Sequence, residues 1–134
     1  LLNQSSKYAI DLHPMVGVKN EDTPILYNAA DVVVLPSFYE GSANAVKEAM
    51  ACNAPIVTTD MGDCRERIEG VKGCYVANTF EVEEFADLLG KALMYGDKSN
   101  GRDRLLLDGL ADWQIAERLI NIYKESMRSM KRNL

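Results

Sequence analysis

Residues 31–59 read DVVVLPSFYEGSANAVKEAMACNAPIVTT, and this stretch decides the fold. Val32 to Leu35 is an apolar, β-branched run without polar alternation, the pattern of a strand covered on both faces. Pro36 ends it. Glu40-Gly41 reads as a turn, and Ala43 to Ala51 is rich in helix formers, with Ala45, Ala49 and Met50 apolar and Lys47 outward. Asn53-Ala54-Pro55 closes that helix, and Pro55 to Thr59 is a second strand. Buried strands joined by a helix form a parallel βαβ unit.

Working outward, Glu21-Asp22-Thr23 before Pro24 starts a helix, with Pro where its missing N–H costs nothing. Ile25, Leu26, Ala29 and Ala30 form its expected apolar side. Downstream come a short helix over Asp63 to Ile68, then Gly70 and Gly73, then a strand at Cys74-Tyr75-Val76. Thr79 is the expected N-cap of a longer helix that repeats Phe85, Leu88, Leu89, Ala92 and Leu93 at helical spacing. Asn100-Gly101-Arg102 reads as a turn before a helix. A terminal helix carries Trp113, Ala116, Leu119, Ile120 and Tyr123. The whole predicts an α/β, Rossmann-like parallel sheet with flanking helices. About three strands are visible, few for a doubly wound sheet, so a single partial domain over 1–134 lacking its first strand or strands is expected.

At 134 residues, 47% of them apolar and 26% charged, the chain has one domain's worth of core-forming material. Its net charge of -5 argues against sequence-independent nucleic-acid binding, which needs a basic footprint. No apolar run approaches the roughly 18 to 20 residues that cross a bilayer, and the start lacks a basic-then-apolar leader. The chain opens Leu1-Leu2-Asn3 without Met, which is read as a fragment. Cys52, Cys64 and Cys74 are odd in number and lack C-x-x-C spacing, so neither a disulfide framework nor a zinc site is expected. A reducing, cytoplasmic setting is expected.

Ligands of open parallel sheets sit beyond the carboxyl ends of the strands, where helix N-termini point. The segment Leu35 to Asn44 is such a place. Gly41, Ser42 and Ala43 have little side chain, so a ligand can approach backbone N–H groups, and the helix start favours a phosphate. Glu40 and Glu48 flank the loop, eight residues apart. At about 100° per residue the offset is roughly 80° after two turns, so the pair can share one side. Carboxylates accept hydrogen bonds from ribose or sugar hydroxyls; the competing reading pairs Glu48 with Lys47 or Arg65 on a solvated face.

Residues 39–63, YEGSANAVKEAMACNAPIVTTDMGD, resemble the signature of glycosyltransferase family 4 (group 1), retaining nucleotide-sugar enzymes of the GT-B fold. The matching elements are Glu40-Gly41, Glu48-Ala49-Met50-Ala51 and the Pro55-led strand to Asp60. The likeness continues back through Leu26 to Asp31 and Leu35-Pro36-Ser37, and forward to Glu66, Trp113, Ala116 and Tyr123.

The resemblance implies the C-terminal, donor-binding half of a GT-B enzyme, with its N-terminal acceptor domain absent. It implies transfer of a sugar, hexosyltransferase-type, from a nucleoside-diphosphate sugar to a glycan, lipid or small-molecule acceptor, in polysaccharide or glycoconjugate biosynthesis. Glu40, the catalytic-site residue, contacts donor-sugar hydroxyls and is given no nucleophile role. Backbone N–H groups of Gly41, Ser42, Ala43, Asn44 and Ala45 hold the sugar and diphosphate, and Glu48 accepts from the ribose. No cofactor and no metal are implied, the donor being a substrate.

The chain departs from the family at Ser42-Ala43, where an aromatic and a Gly are common; a Ser-Pro-Asn branch is closer, with Ala43 in place of Pro. Asn53 stands where Gly is frequent, and Asp63 replaces the second Gly of a pair. Nothing before His13 matches the family's strand and basic diphosphate loop, so the isolated chain is expected not to catalyse transfer. The alternative is a non-catalytic nucleotide-binding or interaction domain of the same fold. His13 reads as a structural or surface residue, Asp60 and Glu66, near strand and helix ends, as structural caps rather than site residues, Cys52 as a buried small hydrophobe, and Trp113 and Tyr123 as core or domain-contact residues. Lys124, Arg128, Lys131 and Arg132 place positive charge at the end of the last helix; a peripheral contact with an anionic membrane surface is the weaker use for them.

Overall fold

The computed structural model describes residues 10–132. Three parallel strands, β1 (Val33–Leu35), β2 (Ile56–Thr59) and β3 (Tyr75–Ala77), lie in the order β1-β2-β3. Val33 stands beside Ile56, and Val57 beside Tyr75. Six helices accompany them among the described residues: α1 (Thr23–Ala29), α2 (Asn44–Ala51), α3 (Cys64–Ile68), α4 (Val82–Tyr95), α5 (Gly101–Leu107) and α6 (Asp112–Arg132). The α/β, Rossmann-like parallel arrangement is the one expected.

Side chains alternate across a strand, so the two sheet faces can be separated by residue. Ile56 belongs to the main core with Val46, Ala49, Met50, Cys64 and Ile68, and Val33, Leu35 and Val76 pack against it. Helices α2 and α3 supply that face. Val57, Thr59 and Ala77 are buried on the opposite face, where α4 packs on β2 and β3.

Helix α4 lies mainly over β2 and β3. Val34, in register with Val57, therefore stays 42% exposed, and β1 is not covered on both faces as its composition implies.

Helix α5 lies against α2. A Cβ on Gly101 would stand 2.7 Å from the Met50 Cα, so only Gly allows this approach. The C-terminal end of α2 is held by the same contact. Asn53 adopts φ +54°, which Asn tolerates better than most residues. Its carbonyl accepts from Ser99 N at 2.8 Å, and its Oδ1 accepts from Arg102 N at 2.8 Å. Asn for Gly at this position thus adds a side-chain acceptor.

Several expectations need correction. On α1, Ile25 and Leu26 are exposed and Tyr27 packs against the core instead. Thr79 is not an N-cap: α4 begins at Val82, with Glu81 at the cap position. Glu84 instead reaches back to accept from the Asn78 and Thr79 backbone N–H groups, both at 2.9 Å. Cys52 is half-buried rather than buried, and all three thiols are free. Trp113 and Tyr123 are 63% and 68% exposed and so lie outside the core. The side chains of Lys131 and Arg132 lie outside the described residues.

Candidate functional site

The carboxyl end of β1 is fixed by two buried hydroxyls on β2. Thr58 Oγ1 donates to the Leu35 carbonyl at 3.1 Å, and Thr59 Oγ1 to the Ser37 carbonyl at 2.6 Å. These bonds set the direction in which the chain leaves the sheet toward Glu40. Nothing in the alternation of the strands marks them, because a buried Thr reads as one more β-branched residue.

Past Ser37 the chain passes the exposed aromatics Phe38 and Tyr39 and reaches half-buried Glu40. Phe38 stacks on Phe80, which follows β3, with ring centroids 5.2 Å apart. Gly41 is held from below by Gly62, whose φ is +51°. A Cβ at Gly62 would fall onto the Gly41 carbonyl, so both the space and the backbone conformation require glycine there. The sequence reading places no weight on Gly62.

Ser42 donates to Asp63 Oδ2 at 2.7 Å and accepts from Lys47 Nζ at 3.0 Å. Asp63 also accepts from Arg67 Nε at 2.9 Å. Arg67 continues to Asp108 at 3.2 Å, and Arg104 closes the chain of charges onto Asp108 at 2.9 Å. Burial works to raise the Asp63 pKa, but the hydrogen bonds from Ser42 and Arg67 and the charges of Arg67 and Lys47 outweigh it. Its carboxyl is held below the ordinary value.

Ala43 is buried and extended (φ -64°, ψ 114°), and α2 starts at Asn44 with no side-chain cap. The first turn closes with Lys47 N onto the Ala43 carbonyl at 3.4 Å. The N–H groups of the first helical residues therefore have no partner four residues back, as at any helix start. Asn44 is exposed and Ala45 half-buried.

Glu48 lies one turn into α2 and is exposed. It pairs with neither Lys47 nor Arg65, because Lys47 turns to Ser42 and Arg65 donates to Asp60 at 2.8 Å. Instead the Tyr27 hydroxyl donates to Glu48 Oε2 at 3.1 Å. Burial, then the Glu48 carboxylate, pushes the Tyr27 pKa up to about 12, so the phenol keeps its proton. One Glu48 oxygen is thus held in place while the carboxylate retains accepting capacity.

Glu40 and Glu48 are not a helical pair. The extended backbone at Ala43 interrupts the 3.6-residue period before it reaches Glu40, so the angular offset from spacing does not apply. No hydrogen bond joins Glu40 to Glu48 among the described residues, and in sequence the two stand before and after the Gly41–Ala45 segment. Asp60 pairs with Arg65 and is not the expected cap, because the cap position of α3 is Asp63. His13 sits exposed at 2.9 Å from Asp11. Burial pushes the Cys74 thiol up to about 11 and raises Cys64, so neither is a ready nucleophile. Among the described residues no cluster of three His, Cys, Asp or Glu side chains could hold a metal, and no helix is long and apolar enough to cross a membrane.

A cavity of about 430 Å³ lies at the opposite, amino end of the strands, lined by Ala30, Asp31, Pro55 and Gly96 to Lys98. It is on the wrong edge for a ligand of a parallel sheet, where helix C-termini rather than N-termini converge.

The sequence model of the family described as Glycosyl transferases group 1 matches residues 3–94. The D-inositol 3-phosphate glycosyltransferase of Corynebacterium jeikeium is 31% identical over 103 residues, 75% of this chain and 25% of that protein. Spore coat protein SA of Bacillus subtilis is 33% identical over 118 residues, 81% of this chain and 30% of its own length. The MMP alpha-(1->4)-mannosyltransferase of Mycolicibacterium hassiacum is 29% identical over 125 residues, 87% and 29% respectively. The chain thus spans between a quarter and a third of the length of these curated relatives.

Proposed function

Because the chain belongs to the group 1 family of glycosyl transferases, we propose that it is the donor-binding part of a glycosyltransferase. The loop after β1 and the start of α2 hold a nucleoside-diphosphate sugar. The observation that carries this reading is the loop itself: small residues from Gly41 to Ala45, an uncapped helix start behind them, and a carboxylate on either side.

The division of labour follows from the chemistry of each group. Backbone N–H groups at the start of α2 donate to diphosphate oxygens, with the helix dipole adding to the attraction. Glu48, steadied by Tyr27, accepts from vicinal ribose hydroxyls. Glu40, at the sugar end of the loop, accepts from hydroxyls of the transferred hexose and fixes its orientation. Diphosphate charge is met by N–H groups without a metal ion.

Two relatives named for transfer to an inositol phosphate and for mannosyl transfer support a hydroxyl-bearing acceptor. Retention at the anomeric carbon, a role in polysaccharide or glycoconjugate assembly, and a C-terminal place in a two-domain GT-B enzyme belong to the same proposal. So does a cytoplasmic location with peripheral attachment.

The test is transfer by the full-length natural protein from radiolabelled UDP-, GDP- and ADP-hexoses, beside Glu48→Ala and Glu40→Gln. The reading expects product from one donor, a KM for that donor raised about tenfold by Glu48→Ala, and a lowered kcat for Glu40→Gln. Donor binding without transfer by any of the three supports a non-catalytic domain of the same fold. Wild-type kinetics in both variants would overturn the site.

A further inference from the structure

We infer that Asp63 is the positioning residue of the donor loop, holding Ser42 so that this segment presents its backbone rather than its side chains to the ligand. This rests on the donor-site reading above and deepens it.

Ser42 has one hydroxyl proton, and it is committed to Asp63 Oδ2 at 2.7 Å. Lys47 Nζ occupies one of the Ser42 Oγ lone pairs at 3.0 Å. The side chain is therefore turned toward Asp63, at the start of α3, and has no proton left with which to read a sugar hydroxyl. Asp63 itself does not move freely, because Arg67 grips the same Oδ2 at 2.9 Å and is in turn fixed by Asp108. Side-chain exposure of only about a fifth on Asp63, Arg67 and Asp108 shows that the chain of charges is packed, not a solvated surface pair.

The adjacent pair Gly62 and Asp63 thus acts on consecutive loop residues: Gly62 lets the 61–63 turn close under Gly41, and Asp63 ties down Ser42. With the loop held at both points, the N–H groups that follow keep one orientation before the ligand arrives, which lowers the ordering cost of binding. The specificity consequence is that Ser42 supports the loop and does not select among sugars.

The experiment measures, in the full-length natural protein, calorimetric Kd values for UDP-glucose, GDP-mannose and ADP-glucose, using whichever binds. Variants are Ser42→Ala, Asp63→Ala, their double, Asp63→Asn, Asp108→Asn and Glu48→Ala, with the thermal midpoint of each. Ser42→Ala and Asp63→Ala are each expected to weaken binding about tenfold, the loss of one charge-assisted hydrogen bond. The double variant is no weaker than Asp63→Ala, since both break one contact. Asp63→Asn, whose amide oxygen still accepts from Ser42, recovers most of the affinity. Asp108→Asn, one contact further from Ser42, lowers the midpoint while weakening Kd by no more than about twofold, an order that a purely structural role for Asp63, with affinity tracking the midpoint, would not produce.

Wild-type affinity in Ser42→Ala and Asp63→Ala, with Glu48→Ala weakened, overturns the clamp and leaves the donor site standing. So does a strictly additive double variant. No binding of any probe by the wild-type protein, or none lost in Glu48→Ala, overturns the donor site and the clamp with it.

Discussion

Val46, Ala49 and Met50 of α2 are buried to 2% or less, whereas Trp113, Ile120 and Tyr123 of α6 keep half or more of their surface in solvent. Both helices repeat apolar residues at three- and four-residue spacing, so both read as amphipathic. The difference lies in what each meets. Helix α2 is pressed between the sheet and α5, with Gly101 set directly on Met50. Helix α6 runs 21 residues with exposed side chains along nearly all of its described length. An amphipathic pattern states that a helix buries one face; it does not state what covers that face.

The contrast can be broken by mutation, and the largest effect belongs to α2. Met50→Ala leaves a cavity at a fully buried position beside Gly101 and is expected to cost about 2–5 kcal/mol, read by denaturant unfolding. A cost below 1 kcal/mol would show that α2 and α5 are not packed as described.

Next is Gly62→Ala, which places a methyl on the Gly41 carbonyl and a side chain at φ +51°. About 1–3 kcal/mol of strain is expected, together with loss of donor affinity, since the loop must shift. Unfolding and calorimetry on the same variant separate the two.

Acid separates the exit of β3, held by a carboxylate, from β2, which is not. The Thr79 hydroxyl first, then the Asn78 and Thr79 backbone, pull the Glu84 pKa down from 4.5 to about 2. A lowered folded value means that the contribution is complete above 4.5 and fades as pH falls toward 2. Asp63 is lowered as well, so its hold on Ser42 behaves in the same sense. Protection of the Asn78 and Thr79 amides, measured against their intrinsic exchange rate at each pH, is expected to fall across that window, while β2, tied by uncharged Thr58 and Thr59, stays protected. Uniform loss of protection through all three strands would contradict local control by the carboxylates.

The smallest effect is at α6. Ile120→Ala, at a half-exposed position, is expected to change the stability of this chain by no more than about 0.5 kcal/mol. A cost near that of Met50→Ala would place a partner over this helix.

The same distinction between local pattern and partner explains what could be read from the residues alone. Strand and helix order was legible because β-branched runs and helical spacing are local properties. The exposure of Val34 was not, since it depends on how far α4 reaches across the sheet. At the site, Gly41 to Ala45 and Glu48 stood out by residue type and by family likeness. Tyr27 as the partner of Glu48 could not, because 21 residues and a strand separate them. Asp63 was visible only as a departure from a Gly pair. Its hold on Ser42 appears once the turn at Gly62 brings the β2 exit beneath the β1 exit. The helical count does not carry from Glu48 back to Glu40, because one extended residue, Ala43, interrupts it.

The central claim is that the carboxyl end of the sheet holds a nucleoside-diphosphate sugar. The most direct measurement is an amide NMR titration of this chain with UDP, GDP and ADP and their hexose forms, with Glu48→Ala in parallel. Saturable shifts confined to Gly41 through Ala45 and the first turn of α2, weakened in Glu48→Ala, are the predicted result. Saturable shifts instead at Asp31, Asp97 and Lys98, around the cavity at the amino end of the strands, and unchanged by Glu48→Ala, would contradict it.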